Sequence, residues 1–249
     1  MYVLGIDTTG PYCSVAVYGD GIRIERHTDV PMEHLKMVDE LIVDALNDAG
    51  ISLGEIDYIA VSAGPGSFTG IRIGISTARA LGQALAVPVI PVCSLSIFRA
   101  MSENHCAAVI FNARRGQVYG GVFHKGQAIM EPGPYMLEQV LDFIDNMDPV
   151  IETVFYGDGV DAYLESASEE GTKSCVNRQL APKEFRYQKG TLVCEEALRI
   201  IGTPDFSPEQ YSYGKALPNY MRMAEAEQKL KDGTLAKQRA MKLAKLLES

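Results

Sequence analysis

A glycine-rich segment between a predicted strand and a predicted helix limits most strongly what this chain can fold into. The apolar run Tyr58–Ser62 is followed by Gly64-Pro65-Gly66-Ser67-Phe68-Thr69-Gly70. Small and apolar residues at helical spacing then predict a helix from about Gly70 to Ala86. The residues Val87–Val92 return to extended structure. A strand, a tight turn and a helix in this order are typical of an α/β domain.

The residues before this segment predict a strand meander and one more helix. Three β-rich runs, Val3–Asp7, Cys13–Tyr18 and Ile22–His27, are separated by short turns that contain glycine, which predicts three antiparallel strands. From Glu33 to Ala49 the apolar residues recur at helical spacing, and Gly50 follows as a stop signal.

The second half of the chain begins with a similar pattern. Ala107–Phe111 and Gln117–Phe123 again predict two strands joined by a turn, which indicates a weak internal duplication. We therefore predict two α/β subdomains, residues 1–104 and 105–216, with a C-terminal helix at 217–249 that joins the first. Further elements are predicted at Leu137–Asp145 (helix), Val150–Tyr156 (strand), Leu192–Ile201 (helix), Gly202–Gly214 (a crossing segment) and Met223–Leu247 (helix).

Charge and composition exclude several classes of protein. With 23 basic and 32 acidic residues the net charge is −9, which argues against a stand-alone nucleic-acid binder. The five cysteines include no CxxC pair and the four histidines are scattered, so we predict no metal site. No apolar run approaches the ~20 residues of a membrane span, and the first residues do not resemble a signal peptide. We expect a cytoplasmic protein without a membrane partner.

The glycine-rich segment leaves two interpretations open. Backbone N–H groups at a helix N-terminus attract anions, so Gly64, Gly66, Ser67 and Thr69 are candidates for a weak nucleotide or phosphate site. The spacing is GxGxxxG, however, and no Lys-Ser or Lys-Thr follows, so neither the dinucleotide nor the P-loop fingerprint is met. A purely structural turn is the alternative.

Asp7, Thr8 and Thr9 at the end of the first strand are the other candidates for that site. Asp7 could hold a metal or orient a water, but general acid–base catalysis needs a second titratable partner. Asn112 occupies the corresponding place in the second half and cannot act as a base. We find no complete set of catalytic residues and predict none.

The helix after the segment carries small residues four positions apart. They are Gly70, Gly74, Ala78 and Gly82. Glycine inside a helix costs about 1 kcal/mol relative to alanine, so these residues indicate a close packing contact. The contact is either with the chain's own sheet or with a helix of a partner subunit, and the sequence leaves both open.

Four motifs together resemble the bacterial TsaB (YeaZ) family. They are Gly5-Ile6-Asp7-Thr8-Thr9 with Cys13-Ser14-Val15-Ala16-Val17, Gly64-Pro65-Gly66-Ser67-Phe68-Thr69-Gly70-Ile71-Arg72-Ile73-Gly74, Asn112-Ala113-Arg114-Arg115-Gly116-Gln117-Val118-Tyr119, and Pro218-Asn219-Tyr220-Met221-Arg222. The chain departs from the family pattern at Asn112, where the family has an aspartate, and at Asp39 and Glu40, which replace a Leu-Pro step.

The resemblance implies an α/β fold of the ASKHA type, that of actin, Hsp70 and sugar kinases, with two duplicated domains built on mixed sheets. It also implies a role in the threonylcarbamoyl modification of adenosine 37 in tRNAs that read codons beginning with A. In that system the family member is a non-catalytic subunit that binds the catalytic paralogue TsaD and recruits the ATPase TsaE. It meets tRNA only through the complex.

From this resemblance and the small-residue stripe we predict a partner interface on the two N-terminal helices. Its residues are His34, Leu41, Gly70, Arg72, Gly74, Ala78 and Gly82. In isolation we expect a homodimer through the same surface. We expect no firmly bound cofactor, with ATP only at the interface of the complex. The alternatives are an ATP-using enzyme of the ASKHA class and a metallopeptidase.

Overall fold

The computed structural model describes residues 1–31, 34–147, 151–165 and 178–221. Its first half follows the order β1 (Val3–Asp7), β2 (Ser14–Gly19), β3 (Ile22–His27), α1 (His34–Ala49), β4 (Tyr58–Gly64), α2 (Phe68–Leu85) and β5 (Val89–Cys93). The second continues with β6 (Cys106–Asn112), β7 (Gln117–His124), β8 (Gln127–Met136), α3 (Leu137–Asp145), β9 (Thr153–Tyr156), β10 (Arg178–Leu180), α4 (Lys183–Arg186) and α5 (Gly190–Ile201). Single-turn helices occupy Leu53–Glu55, Ser96–Met101, Val160–Leu164, Pro208–Tyr211 and Tyr213–Lys215.

The two halves contain sheets of the same topology. The first sheet has the order β3-β2-β1-β4-β5, and the second has the order β8-β7-β6-β9-β10 when it is listed from the corresponding edge. In each sheet three consecutive strands pair antiparallel, and the later strands add in parallel on the other side of the first one. The internal duplication predicted from the sequence is therefore confirmed at the level of strand order.

The predicted elements of the first half are all found. The three-strand meander is confirmed, and the two helices begin and end within two residues of their predicted bounds. The sequence analysis missed β8, β10 and the turn Ser96–Met101. Four other features named from the sequence lie wholly or mostly outside the described residues: the C-terminal helix 217–249, the helix Met223–Leu247, Cys175 and Arg222. The division of the subdomains between residues 104 and 105 stays a prediction.

Both faces of the first sheet are covered by helices. Leu4 and Ile6 on β1 pack with α1 and α2, whereas Val3 on the same strand points to the opposite face and packs with α5. Gly5 also faces α5, and a Cβ there would lie 2.5 Å from Cys194 Sγ and from the Gly190 carbonyl oxygen. Because successive side chains of a strand point to opposite faces, β1 contacts a helix layer on each side of the sheet.

The helix α5 follows the second sheet in sequence but packs against the first. Its residues Val193 and Cys194 belong to one buried cluster with Val3 and Ala60 of the first sheet and Val109 of the second. Met1–Asn219, which contains both sheets, forms one compact unit. Among the described helices, none combines the length and apolar character that crossing a membrane requires.

Candidate functional site

The predicted phosphate-binding residues meet at the carboxyl ends of β1 and β4. There the β1–β2 turn and the glycine-rich segment lie against each other. The amide of Ser67 donates a hydrogen bond to the carbonyl oxygen of Thr9 (2.8 Å), and Thr8 Oγ1 donates to the carbonyl oxygen of Gly70 (2.6 Å). The structure thus brings together the residues that the sequence singled out, and it joins them to one another.

Two glycines allow this close approach. A Cβ on Gly66 would lie 2.5 Å from the carbonyl oxygen of Thr9, and a Cβ on Gly70 would overlap the carbonyl oxygen of Thr8. Gly64 and Gly66 also have φ values of +114° and +155°, which disfavour side chains. Backbone therefore occupies the space that an open phosphate site would leave for its ligand.

Asp7 is buried within this arrangement. Its carboxylate accepts hydrogen bonds from the Thr9 amide (2.8 Å) and the Thr9 hydroxyl (3.0 Å), and no part of the residue reaches solvent. Burial raises the pKa of Asp7, and the hydrogen bonds from Thr9 partly oppose that rise. The carboxylate organises the β1–β2 turn. Within the described ranges, no three His, Cys, Asp or Glu side chains are grouped so as to hold a metal ion.

Ser67 caps the N-terminus of α2 from within the chain. Ser67 Oγ accepts from the Gly70 amide (3.2 Å), and the Ser67 carbonyl oxygen accepts from the Ile71 amide (2.8 Å). Thr69 is exposed. This geometry favours the structural turn over the phosphate cradle at these positions, because the amides of Ser67 and Gly70 are already bonded to oxygens of the chain itself.

A third segment completes the site: residues 217–221, which were predicted as the start of a helix joining the first subdomain, lie there without helical structure. The amide of Asn219 donates to the carbonyl oxygen of Ala63 (2.7 Å), at the point where the pairing of β4 with β5 shifts register. A Cβ on Gly64 would lie 2.5 Å from the Asn219 carbonyl oxygen. The Pro218-Asn219 motif near the C-terminus therefore lies against the glycine-rich segment of the first half.

The second sheet also has glycines packed against backbone at the carboxyl ends of its strands, but its carboxylate follows β9 and not the first strand of that half. Cβ atoms on Gly157 and Gly159, after β9, would come too close to the carbonyl oxygen of Ile110 on β6. Asp158 between them accepts a hydrogen bond from the Asn112 amide (3.1 Å). Burial raises the pKa of Asp158 to about 6. Asp158 was not predicted from the sequence, because the position expected for a carboxylate is the end of the first strand of each half, whereas Asp158 follows β9.

The small-residue stripe on α2 corrects the predicted interface. Gly70, Gly74, Ala78 and Gly82 are all buried, and they pack against Thr8, Val61 and Val89 of the chain's own sheet. Leu41 is also a core residue, only 5% exposed. The partner-helix interpretation of the stripe is therefore wrong, because the sheet already fills it. Of the other two residues predicted for the interface, Arg72 is exposed and the side chain of His34 lies outside the described ones.

The opposite sides of α1 and α2 face away from the core. We call the following exposed residues the outer face: Asp39, Glu40, Val43, Asp44, Asn47 and Asp48 on α1, and Phe68, Thr69, Arg72, Ser76, Ala80, Gln83 and Ala84 on α2. The two helices contact each other. Val43 is 56% exposed and Phe68 is 38% exposed, with the Arg72 guanidinium 4.1 Å above the Phe68 ring. The α1 part of this face is strongly acidic.

Comparisons with known proteins show which family this chain resembles. A family model described as "TsaD: tRNA N6-adenosine threonylcarbamoyltransferase" matches residues 28–181, more than half of the chain. A protein of Escherichia coli (strain K12) named tRNA threonylcarbamoyladenosine biosynthesis protein TsaB is 35% identical over 147 residues, which cover 53% of this chain and 63% of that protein. A solved structure described as YeaZ from Pseudomonas aeruginosa has a TM-score of 0.65 at 25% identity, covering 88% of this chain and 99% of that one. The chain belongs to the TsaB (YeaZ) family.

Further TsaB relatives match over different lengths. The protein of the same name from Bacillus subtilis (strain 168) is 27% identical over 241 residues, covering 92% of this chain and 97% of that protein. The chain spans just under two thirds of the length of the Escherichia coli relative. The duplicated α/β halves with mixed sheets, together with membership of the TsaB family, identify the fold as the ASKHA type.

Proposed function

We propose that this chain is a non-catalytic subunit in the biosynthesis of threonylcarbamoyladenosine in tRNA. The choice of this pathway rests on the names of the Escherichia coli and Bacillus subtilis relatives. Asp7 supports the non-catalytic role. Its carboxylate is buried and hydrogen-bonded to Thr9, so a substrate bound at the surface cannot reach it to exchange a proton.

The partner in this proposal is the catalytic paralogue TsaD, bound through the outer face of α1 and α2. Val43 and Phe68 supply exposed apolar surface on adjoining helices, which is the kind of surface that a protein interface buries. The acidic residues Asp39, Glu40 and Asp44 surround Val43, so we expect basic residues opposite them on the paralogue. TsaE is recruited by the resulting complex, tRNA is met only through it, and the isolated chain forms a homodimer through the same face.

Substitution of Val43 tests the partner interface. Val43→Glu places a charge on the outer face without disturbing the core, since the side chain is 56% exposed. Ile129→Glu is the matched control, because Ile129 is an exposed apolar residue (40%) on β8 of the second sheet. Co-purification with the paralogue should be lost for Val43→Glu and kept for Ile129→Glu. Equal co-purification of both variants would remove the outer face from the proposal.

We propose no firmly bound cofactor for the isolated chain, and we assign any ATP to the interface of the complex. The hydrogen bonds that join Thr8 to Gly70 and Ser67 to Thr9 support this. They occupy the Thr8 hydroxyl and the Ser67 amide, which are donors that a phosphate would otherwise contact. Calorimetric titration of the purified chain with ATP and Mg²⁺ should give no heat of binding. A saturable signal would favour the alternative, an ATP-using enzyme of the ASKHA class.

A further inference from the structure

Three consecutive residues, the last of α4 and the two that follow it, contact the ends of both sheets. We call Arg186–Gln188 the strap. The ring of Tyr187 meets the ring of Tyr12, in the β1–β2 turn, edge to face with centroids 5.2 Å apart. The hydroxyl of the same Tyr187 donates a hydrogen bond to Asp161 Oδ2 (2.6 Å), in the turn after β9. One side chain therefore joins the carboxyl-end edge of the first sheet to that of the second.

The preceding residue fixes the strap to the second sheet. Arg186 is only 4% exposed, and its guanidinium pairs with Asp161. Its Nε and Nη2 both donate to the carbonyl oxygen of Ala181 (3.1 and 2.9 Å), and its own carbonyl oxygen accepts from the Gly157 amide (2.7 Å). A buried arginine whose donors are occupied in this way holds its backbone in place, because moving it would leave a buried charge unpaired.

The following residues fix the strap to the first sheet. Gln188 is 4% exposed and lies so close to Gly10 that a Cβ there would overlap its side chain. Two residues later α5 begins, and the Gly190 amide donates to Ser14 Oγ on β2 (2.9 Å). The strap thus continues directly into the helix whose apolar residues are shared by both sheets.

We propose that the strap locks the carboxyl-end edges of the two sheets at one separation, so that this chain does not open and close there around a ligand. In open α/β folds, that edge is where ligands bind. Relative motion of two halves is the default unless their interface is large and apolar. Here the apolar cluster around α5 joins the sheets at one level, and the strap joins them at the edge. The chain therefore presents a fixed surface to any partner.

Hydrogen exchange on the isolated chain tests the lock, since amides exchange through local opening. Tyr187→Phe keeps the ring and removes only the bond to Asp161, whereas Tyr12→Leu removes the ring contact on the other side. Tyr135→Phe is the control, because that hydroxyl makes an exposed bond to the Glu131 carbonyl oxygen (2.9 Å) within β8, the edge strand three positions from β9.

If the strap couples the sheets, Tyr187→Phe should speed exchange about tenfold in both edge segments, residues 8–13 and 157–161. Tyr12→Leu should speed it roughly two- to tenfold in both, since an aromatic pair is lost, and Tyr135→Phe should speed it in neither. The tenfold effect of Tyr187→Phe corresponds to losing one hydrogen bond to a charged acceptor. Faster exchange confined to the segment next to each substituted residue would overturn the proposal, as would no change for Tyr187→Phe. If Tyr12→Leu did not fold, Tyr187→Phe alone would decide, because both segments can be followed in it. These measurements need no partner or tRNA, so their failure is distinct from failure of the proposed function.

Discussion

Gly70 on α2 separates the two interpretations of the small-residue stripe. In the structure a Cβ at this position would overlap the carbonyl oxygen of Thr8. That oxygen cannot move away easily, because Thr8 is fixed to the same residue by the hydrogen bond from Oγ1 to the Gly70 carbonyl oxygen (2.6 Å). The substitution Gly70→Ala should therefore strain the contact between β1 and α2, whatever partner the chain binds.

The expected loss follows from two opposing terms. Overpacking a filled contact costs about 1–3 kcal/mol, more where the obstacle is backbone. Alanine improves the helix by up to about 1 kcal/mol relative to glycine. The net free energy of unfolding should fall by about 2 kcal/mol, which lowers the Tm of a domain of this size by roughly 4–8 °C.

Urea denaturation of Gly70→Ala measures this loss directly. Ser76→Ala is the control, because Ser76 is exposed on the same helix and its change should stay within about 0.5 kcal/mol. The midpoint should fall for Gly70→Ala with an unchanged slope. If instead both variants had equal midpoints and only Gly70→Ala lost the paralogue, the stripe would be a partner groove and our account of α2 would be refuted.

Three further predictions follow from the site. Asp158 has a pKa of about 6 in the folded chain against an ordinary value near 3.8, so the folded state loses stability as pH rises from 4 through 6. Asp158→Asn should therefore raise the unfolding free energy by about 1–3 kcal/mol at pH 7.5 and much less at pH 4.5, and an equal gain at both would contradict this cause. Thr8→Val should lose about 1–2 kcal/mol through its bond to Gly70, measured by urea midpoint. Gly190→Ala places a Cβ 2.7 Å from the Ala16 amide and should lose about 1–3 kcal/mol by the same assay; a wild-type midpoint would contradict that contact.

The fold was predictable where local pattern decides the structure. Hydrophobic alternation and turn residues predict β1 to β3, and the apolar spacing of residues 34–49 predicts α1. The strand β8 was missed because Pro132, Gly133 and Pro134 are breakers, which an edge strand tolerates better than a central one.

The candidate site was predictable only as a set of residues. The sequence places Asp7, Gly66 and Gly70 near a strand end, but it does not say whether a ligand or the chain itself fills the space between them. That depends on the pairing of β1 with β4, a contact across more than fifty residues. Similarly, the side of α2 that faces the sheet follows from packing, because glycine and alanine suit a partner helix and a neighbouring strand equally well.

The proposed function is tested most directly by the threonylcarbamoyladenosine content of tRNA, measured by mass spectrometry of nucleosides after depletion and add-back of this chain. We predict loss of the modified nucleoside on depletion, recovery with the wild-type chain and with Ile129→Glu, and no recovery with Val43→Glu. A reconstituted mixture that lacks the catalytic paralogue should give no product. Modification that survives depletion, or product formed by this chain without the paralogue, would contradict its role as a non-catalytic subunit.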